Sequence, residues 1–480
     1  MYPTMPILHR QTIGNIIDQM DADLEAYCLV ASLCAYMLIQ PNMELRPEAA
    51  EGLDCKAESN LPLGRTLLAD AIRTRKRIDY IEFPSAWSVI TSFFFFGSHF
   101  CLDLHGTAWF HLREATTLAL TLRMHEQATY RSLDRVECIH RRRLYWLLFV
   151  TERAYALQQH RPLTLYATIN FPSPQDEPEE AEKLDGFLHM VKLYRPFDDS
   201  FVGLWNKAKT GCTTEWLAQV QQQLSDALPV YLQGTESQAV DVKVSQKWLR
   251  TLVWQLSMSH GYLSSAAADK AMSFQFPIEI SRDLVAVTAQ FSQQAMEVHG
   301  IGLIEKLFDV SCTLIDVMSC VPIEQHSFDF GPREYLHQMM TLISNLRGGQ
   351  QRYTPLLISK INDTMPDMGY ALAPSMTDNS SQQEASRSNS NESSFGSPPL
   401  SALDSQTSPF GFPQDLAVDA LSNASMFADA ASSTASMFAS AMISNHGIEY
   451  GDMAASGPTQ MFVNPLVFQD SMAMKLEPDG

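Results

Sequence analysis

Three histidines, His99, His105 and His111, recur every six residues between two apolar stretches. Histidine is a common metal ligand. Ligands on one helix must share a face, at spacings near three, four or seven, and a period of six does not place them together. The adjacent carboxylates Asp198 and Asp199 in PFDDS read as a turn or helix cap rather than an acid–base pair. No HExxH pair, GxSxG elbow, phosphate-cradling P-loop or GxGxxG fingerprint occurs in the chain. The eight cysteines, Cys28, Cys34, Cys55, Cys101, Cys138, Cys212, Cys312 and Cys320, include no CxxC pair. They lack the tight thiolate pairing of a zinc ribbon or cluster, and most sit in apolar segments, so they read as buried free thiols of a reducing compartment. The expectation is a chain that is not an enzyme and carries no metal or cofactor of its own.

Two other patterns carry chemistry. Met474-Lys475-Leu476-Glu477 fits the apolar-Lys-x-Glu pattern of SUMO attachment, which marks Lys475 as a candidate modification site. The run HRRRLYWLLFVTERAYALQQHRP, His140 to Pro162, sets a basic lip on an almost wholly apolar stretch. On a helix, Leu144, Leu147, Leu148, Thr151, Ala154 and Tyr155 form one stripe, while Tyr145, Trp146, Phe149, Arg153 and Ala156 cover the rest. A helix apolar nearly all round belongs in the middle of a core. Glu137 lies four residues before Arg141, the spacing of a surface ion pair. Glu152 and Arg153 inside such a helix require a buried or half-buried network. A nuclear-localisation or phosphate patch at Arg141–Arg143 and a membrane-surface helix are the competing readings. The arginines are few for the first, and they cluster at one end rather than along one face for the second.

The elements around this run are helical. TTEWLAQVQQQLSDALPVYL aligns Trp216, Leu217, Val220, Leu224, Ala227 and Leu228, with Thr213 or Thr214 as cap. KWLRTLVWQLSMSHGYLSSAA and LVAVTAQFSQQAMEVHGIGLIEKLF continue the pattern, and PREYLHQMMTLISNLRGGQQRY starts at Pro332 and stops at Gly348-Gly349. No segment alternates strictly with hairpin turns, so the spacing predicts an all-α domain over residues 1–370. FPSPQDEPEEAEKLDG, 171–186, holds three prolines and six acids. It reads as an exposed loop between two helical halves that pack together.

Beyond residue 370 the composition shifts to Ser, Ala, Asn, Met and Pro. Twelve acids there face only Arg387 and Lys475, which gives the tail half of the chain's net charge of −20. Residues 371–412 lack the apolar content to offset their ordering entropy and read as a disordered linker. Residues 413–480 scatter hydrophobic clusters among acids, with ASMFA at Ala424–Ala428 and again eleven residues on, at Ala435–Ala439. Eleven residues is close to three helical turns. The mixture is that of an activation segment docking Phe427, Phe438, Phe462 and Phe468 into a coactivator groove. So acidic a chain repels nucleic acid as a whole. VITSFFFFG, Val89 to Gly97, falls far short of the ~20 residues that span a bilayer. The N-terminus lacks the pattern of a signal peptide. The expectation is a soluble intracellular protein without a membrane partner.

GTAWFHLREATTLALTLRMHE followed by RRRLYWLLFVTERAYALQQHRPLTL resembles the middle homology region of fungal transcription factors with a binuclear zinc cluster. The likeness rests on a helix corner at Leu122–His125, an Arg-Arg-aromatic helix at Arg142, Arg143 and Trp146, the pair Glu152-Arg153, and the turn Arg161-Pro162. Arg123 stands where the family usually has Gly, which implies a less tight corner. MYPTMPILHRQTI, FLHMVKLYRPFDDSFVGLWN, WLRTLVWQLSMSHG and NLRGGQQRYTPLLISKI extend the likeness toward the activators of amylolytic and maltose-utilisation genes, over residues 1–370. The resemblance implies a nuclear regulator of RNA polymerase II genes, shuttling with the cytoplasm, whose helical domain governs an acidic activation tail. Its partners would be a coactivator or corepressor, and a zinc-cluster regulator in a homo- or heterodimer. The family's six-cysteine zinc cluster has no counterpart here, so DNA is expected to be reached only indirectly unless an upstream cluster belongs to the chain. The alternative function is a DNA-binding-deficient or dominant-negative subunit that binds a full-length regulator or corepressor.

Overall fold

In the computed structural model, the described residues are 5–8, 10–40, 60–229, 231–320 and 331–366. The candidate tail phenylalanines Phe427, Phe438, Phe462 and Phe468, Lys475, the linker and Cys55 lie outside them. Among the described residues every regular element is a helix. Helices α1 (Arg10–Ile17), α2 (Leu24–Ile39), α3 (Leu61–Arg75), α4 (Ala86–Cys101) and α5 (His105–Thr121) form the first group. The long α6 (Arg135–Gln159), α7 (Ala181–Tyr194) and α8 (Asp199–Trp205) follow. The last group is α9 (Thr214–Asp226), α10 (Glu236–Ser259), α11 (Phe276–Thr288), α12 (Gln293–Glu297), α13 (Ile301–Cys320), α14 (Pro332–Asn345) and α15 (Gly349–Thr364).

Local chemistry sets these boundaries. Thr213 caps α9 by accepting from the Trp216 amide, and Asp198 caps α8 by accepting from Ser200 and Phe201. This satisfies amides that a helix start leaves unpaired. Ser85 and Ser88 form a reciprocal capping box at the start of α4. The phenylalanine run that follows is buried, from Phe93 to Phe96. The stretch from Leu284 to Phe308 is not one periodic helix. It breaks after Thr288 and again at Gly300, whose φ of +58° ends the short α12 turn before α13 begins. No described helix is long and apolar enough to cross a membrane.

Two large apolar cores meet along α6. Leu144 to Phe149 and Tyr155 belong to the core built by α1, α2, α4 and α5, whereas Ala156 and Leu157 belong to the core of α8 to α15. Phe100 and Val150 pack against both. A third, smaller cluster joins α2, α3 and Phe95. α7 packs on both α6 and α10 and closes the seam from the other side. Trp146, Trp248 and Trp254 are fully buried in these cores, each with its indole N–H on a protein acceptor, as the polar atom of a buried tryptophan requires.

The corner after α5 is tight despite its arginine. Arg123 takes up the left-handed conformation itself, with φ of +53°. The Met124 amide donates to Ala119 at 3.0 Å and the Arg123 amide to Leu120 at 2.9 Å, the paired bonds of a Schellman helix end. Asp103, His160 and Lys207 are likewise left-handed at φ of +64°, +50° and +57°, where α4, α6 and α8 stop. A Cβ in this region is strained by about 1–2 kcal/mol. Arg123→Gly is therefore expected to raise stability by about 0.5–1 kcal/mol, measured by urea unfolding, once the extra freedom glycine gives the unfolded chain is subtracted.

Candidate functional site

After α6 the chain doubles back along it, and the polar side chains of the helix hold the returning segment. Near its C-terminal end, the Glu152 carboxylate accepts from the backbone amides of Thr164 and Leu165, both at 2.9 Å, and from the Thr164 hydroxyl. Arg113 of α5 approaches the same carboxylate at 3.4 Å. Arg153 donates to the carbonyls of Leu165 at 3.0 Å and Phe149 at 3.3 Å. Its guanidinium stacks 3.3 Å over the Phe149 ring. Further back, the Tyr145 hydroxyl donates to Tyr166 at 2.7 Å, and the Trp146 indole donates to Asn170 at 3.0 Å and stacks on Phe171. At the N-terminal end, Arg143 donates to Glu180 at 2.9 Å and to Glu177 at 2.6 Å.

This arrangement details the sequence reading at one point and corrects it at another. Glu152 and Arg153 are both buried, but what they share is the segment Thr164–Leu165, one residue holding its amides and the other its carbonyl. Burial raises the Glu152 carboxyl above its ordinary pKa and lowers Arg153 to about 10. The acidic segment 171–186 is also not a fully exposed loop. Its last residues form a 3-10 turn, Pro178–Glu180, and the start of α7. Glu180 is buried against Arg143. A buried arginine must meet counter-charges, and a run of six acids supplied two of them.

The remaining motif residues have smaller parts. Arg142 lies over the Tyr130 ring at 5.1 Å, and the half-buried Arg141 pairs with Glu137 one turn earlier. The Arg161 carbonyl accepts from Asn206 at 3.3 Å, and Pro162 opens the irregular stretch that carries Leu165. His99 and His111 do meet, on facing helices, with rings stacked at 5.1 Å. His111 then leads to Glu114, Arg75, Tyr80 and Ser92. These partners outweigh the effect of burial and hold the Glu114 carboxyl at about pKa 2. No group of metal-ligating side chains occurs among the described residues. The described cysteines are all free, but only Cys28 is buried and Cys34 is exposed.

A cavity of about 240 Å³ opens at the seam of the two cores, between α2, α4, α6, α7, α10 and α13. Its apolar wall includes Phe96, Phe100 and Tyr155, which contact one another through stacked and edge-on rings. Its polar side includes Gln40, Gln238, Asp241, His299 and Lys306. Asp241 lies 3.0 Å from the Lys306 ammonium and 3.4 Å from His299, and Lys306 also donates to Ser245 at 2.7 Å. Burial works against the Asp241 carboxylate, but Lys306, His299 and Ser245 together outweigh it and keep its pKa low. Burial lowers His299 below its ordinary value. The sequence reading missed this cluster. The signal for it was GLIEKLFDVSCTLIDV, where Glu305, Lys306, Asp309 and Asp316 interrupt an otherwise apolar helix.

Those other acids tie α13 to its neighbours. Glu305 accepts from Tyr353 at 2.9 Å, and Arg352 of α15 bridges from Glu305 to Asp103 at 2.7 Å. Asp316 pairs with Lys360 at 2.7 Å. Asp309 receives the Trp248 indole at 2.9 Å, and burial pushes its carboxyl up to about pKa 7.

Comparison with known proteins gives these features a context. Residues 1–219 match the fungal specific transcription factor domain. The chain is 25% identical over 350 residues to a probable sucrose utilization protein of Candida albicans, covering 72% of this chain and 66% of the relative. It is 25% identical over 325 residues to a maltose fermentation regulatory protein of Saccharomyces cerevisiae, covering 66% and 65%. It is 22% identical over 323 residues to a respiratory transcription factor of the same yeast, covering 66% and 67%. The chain thus spans just under two thirds of the first two relatives. No solved structure is significantly similar to it.

Two measurements test the electrostatics. Arg143→Glu is expected to cost about 3–5 kcal/mol in chemical denaturation, because it leaves Glu177 and Glu180 facing a third carboxylate. Arg141→Glu, at a half-buried pair whose partner Glu137 still meets solvent, should cost less than Arg143→Glu. Asp309 holds its proton more tightly in the folded state than in the unfolded chain, so it lowers stability as pH rises from about 4 through 7. Asp309→Asn keeps an acceptor for Trp248. It should raise stability at pH 8 by about 1–3 kcal/mol and flatten that decline in a pH series of melting curves.

Proposed function

We propose that the chain, with the fungal specific transcription factor domain over residues 1–219, regulates RNA polymerase II transcription in the nucleus and acts on carbohydrate-utilisation genes. The observation that carries this reading is its similarity to regulators named for maltose fermentation and sucrose utilization. In this reading the helical body is the regulatory part and does no chemistry. DNA is reached through a zinc cluster of the family's kind or through a partner that carries one. The residues beyond 370 supply activation through a coactivator, and the body restrains or releases them.

The physical basis is a division of labour. The body buries its charges in fixed networks around α6 and α13, which favours one defined packing over many. The tail carries Phe427, Phe438, Phe462 and Phe468 among acids, a composition that gains by folding onto an apolar groove.

Fusion of residues 371–480 to a heterologous DNA-binding domain is expected to activate a reporter. Replacing the four phenylalanines with alanine should abolish that activation, and placing residues 1–370 ahead of the tail should reduce it. A silent reporter with the tail alone would remove the activation function from the reading.

A further inference from the structure

We infer that Arg161, His160 and Lys207, gathered where α6 and α8 end, form a binding site for a phosphate monoester. The other buried and half-buried arginines of the body set the contrast. Arg75, Arg113, Arg142, Arg143 and Arg352 each meet a carboxylate. Arg161 meets none among the described residues. Its guanidinium lies 5.7 Å from the Trp109 ring, and the second arginine on that ring, Arg113, is held by Glu152 and Thr164. In a chain with 54 acidic against 34 basic side chains, a half-buried cation without a counter-charge is the exception.

Two more cations stand beside it. The Asn206 side chain donates to the Arg161 carbonyl at 3.3 Å, which joins the end of α8 to the end of α6. Lys207 follows and is exposed. The His160 ring stacks on Trp205 at 5.6 Å and 10°. Desolvation of that ring, then the Lys207 and Arg161 charges, hold His160 below its ordinary pKa, opposed by a hydrogen bond with Asn206. No carboxylate among the described residues acts on it. The acids of α8 are engaged elsewhere, Asp198 as the helix cap and Asp199 as the acceptor of the Tyr166 hydroxyl.

Magnitudes decide the class of ligand. The C-terminal end of a helix carries a charge of about −0.5, so α6 and α8 together offset about one cation. Arg161 and Lys207 then leave about one positive charge uncompensated, and protonation of His160 makes it about two. A carboxylate supplies one negative charge. A phosphate monoester supplies about −1.5 to −2 at pH 7, with three acceptor oxygens for three donors. The planar guanidinium fork matches two of those oxygens at once. The ester has two sources, a phosphorylated serine of residues 371–412, a segment with twelve serines, or a free phosphate compound.

Calorimetric titration of the unphosphorylated full chain tests the site and separates the sources. The probes are inorganic phosphate, a peptide of residues 389–412 phosphorylated at Ser397 and Ser408, the same peptide without phosphate, and a DNA duplex. At least one phosphate probe is expected to bind saturably, and the plain peptide not at all. Tighter binding of the phosphopeptide than of inorganic phosphate assigns the source to the segment, and equal or weaker binding assigns it to a free compound. Arg161→Gln should weaken binding about tenfold or more. Lys207→Asn is the second variant, because asparagine tolerates the left-handed backbone found there. It should keep the wild-type melting temperature and weaken binding about tenfold. Failure of both phosphate probes, equal binding of the plain peptide, tighter binding of the duplex, or affinity unchanged by Lys207→Asn would overturn the assignment. The site does not depend on the regulatory reading, which the reporter fusion tests separately.

Discussion

Polar groups buried in the middle of a helix cannot be left to water, and from Arg143 to Leu157 most of α6 is buried. Arg143, Glu152 and Arg153 are each no more than 2% exposed, so partners must be brought to them. The segment from Arg161 to Glu180 does this by running back along the helix. It supplies amides and a carbonyl at Thr164–Leu165, further carbonyls at Tyr166 and Asn170, and carboxylates at Glu177 and Glu180. The position of α7, which continues directly from Glu180, follows from that path. So does the seam that α7 closes against α10. Both apolar cores are thus organised by one requirement, the neutralisation of a central helix.

Much of this was legible in the sequence, and the illegible part has a common cause. Periodicity marked α9 and α10, Thr213 and Asp198 announced the caps of α9 and α8, and the all-round apolar pattern of Leu144 to Tyr155 identified a central helix. These signals are local, with cause and effect within one or two helical turns. The partner of Arg143 is not local. Glu177 and Glu180 lie 34 and 37 residues away, and nothing in their own neighbourhood separates them from acids that face water. For the same reason Glu152 and Arg153 read as a pair, since adjacency is visible in a sequence and a shared backbone segment is not. The polar side of the cavity is more distant still, with Asp241 and Lys306 separated by 65 residues.

The left-handed helix ends show the opposite failure. The arginine at position 123 implied a looser corner, because glycine is the residue that adopts this conformation freely. The two backbone bonds after α5 and the burial of Met124 hold the corner regardless. Asp103 is an instructive case of the same geometry. Its left-handed turn between α4 and α5 presents a carboxylate to Arg352, so a conformation that ends one helix also anchors α15 across the molecule.

Because α6 contributes side chains to both large cores, neither core has a complete surface without it. Melting one would strip contacts from the helix that the other needs. The two groups of helices are therefore coupled into a single cooperative unit, and the body should unfold in one thermal transition rather than two. The seam thus gains its strength from being shared. Any interaction made there stabilises the whole body against unfolding, including α15, the last described helix before the acidic residues of the tail.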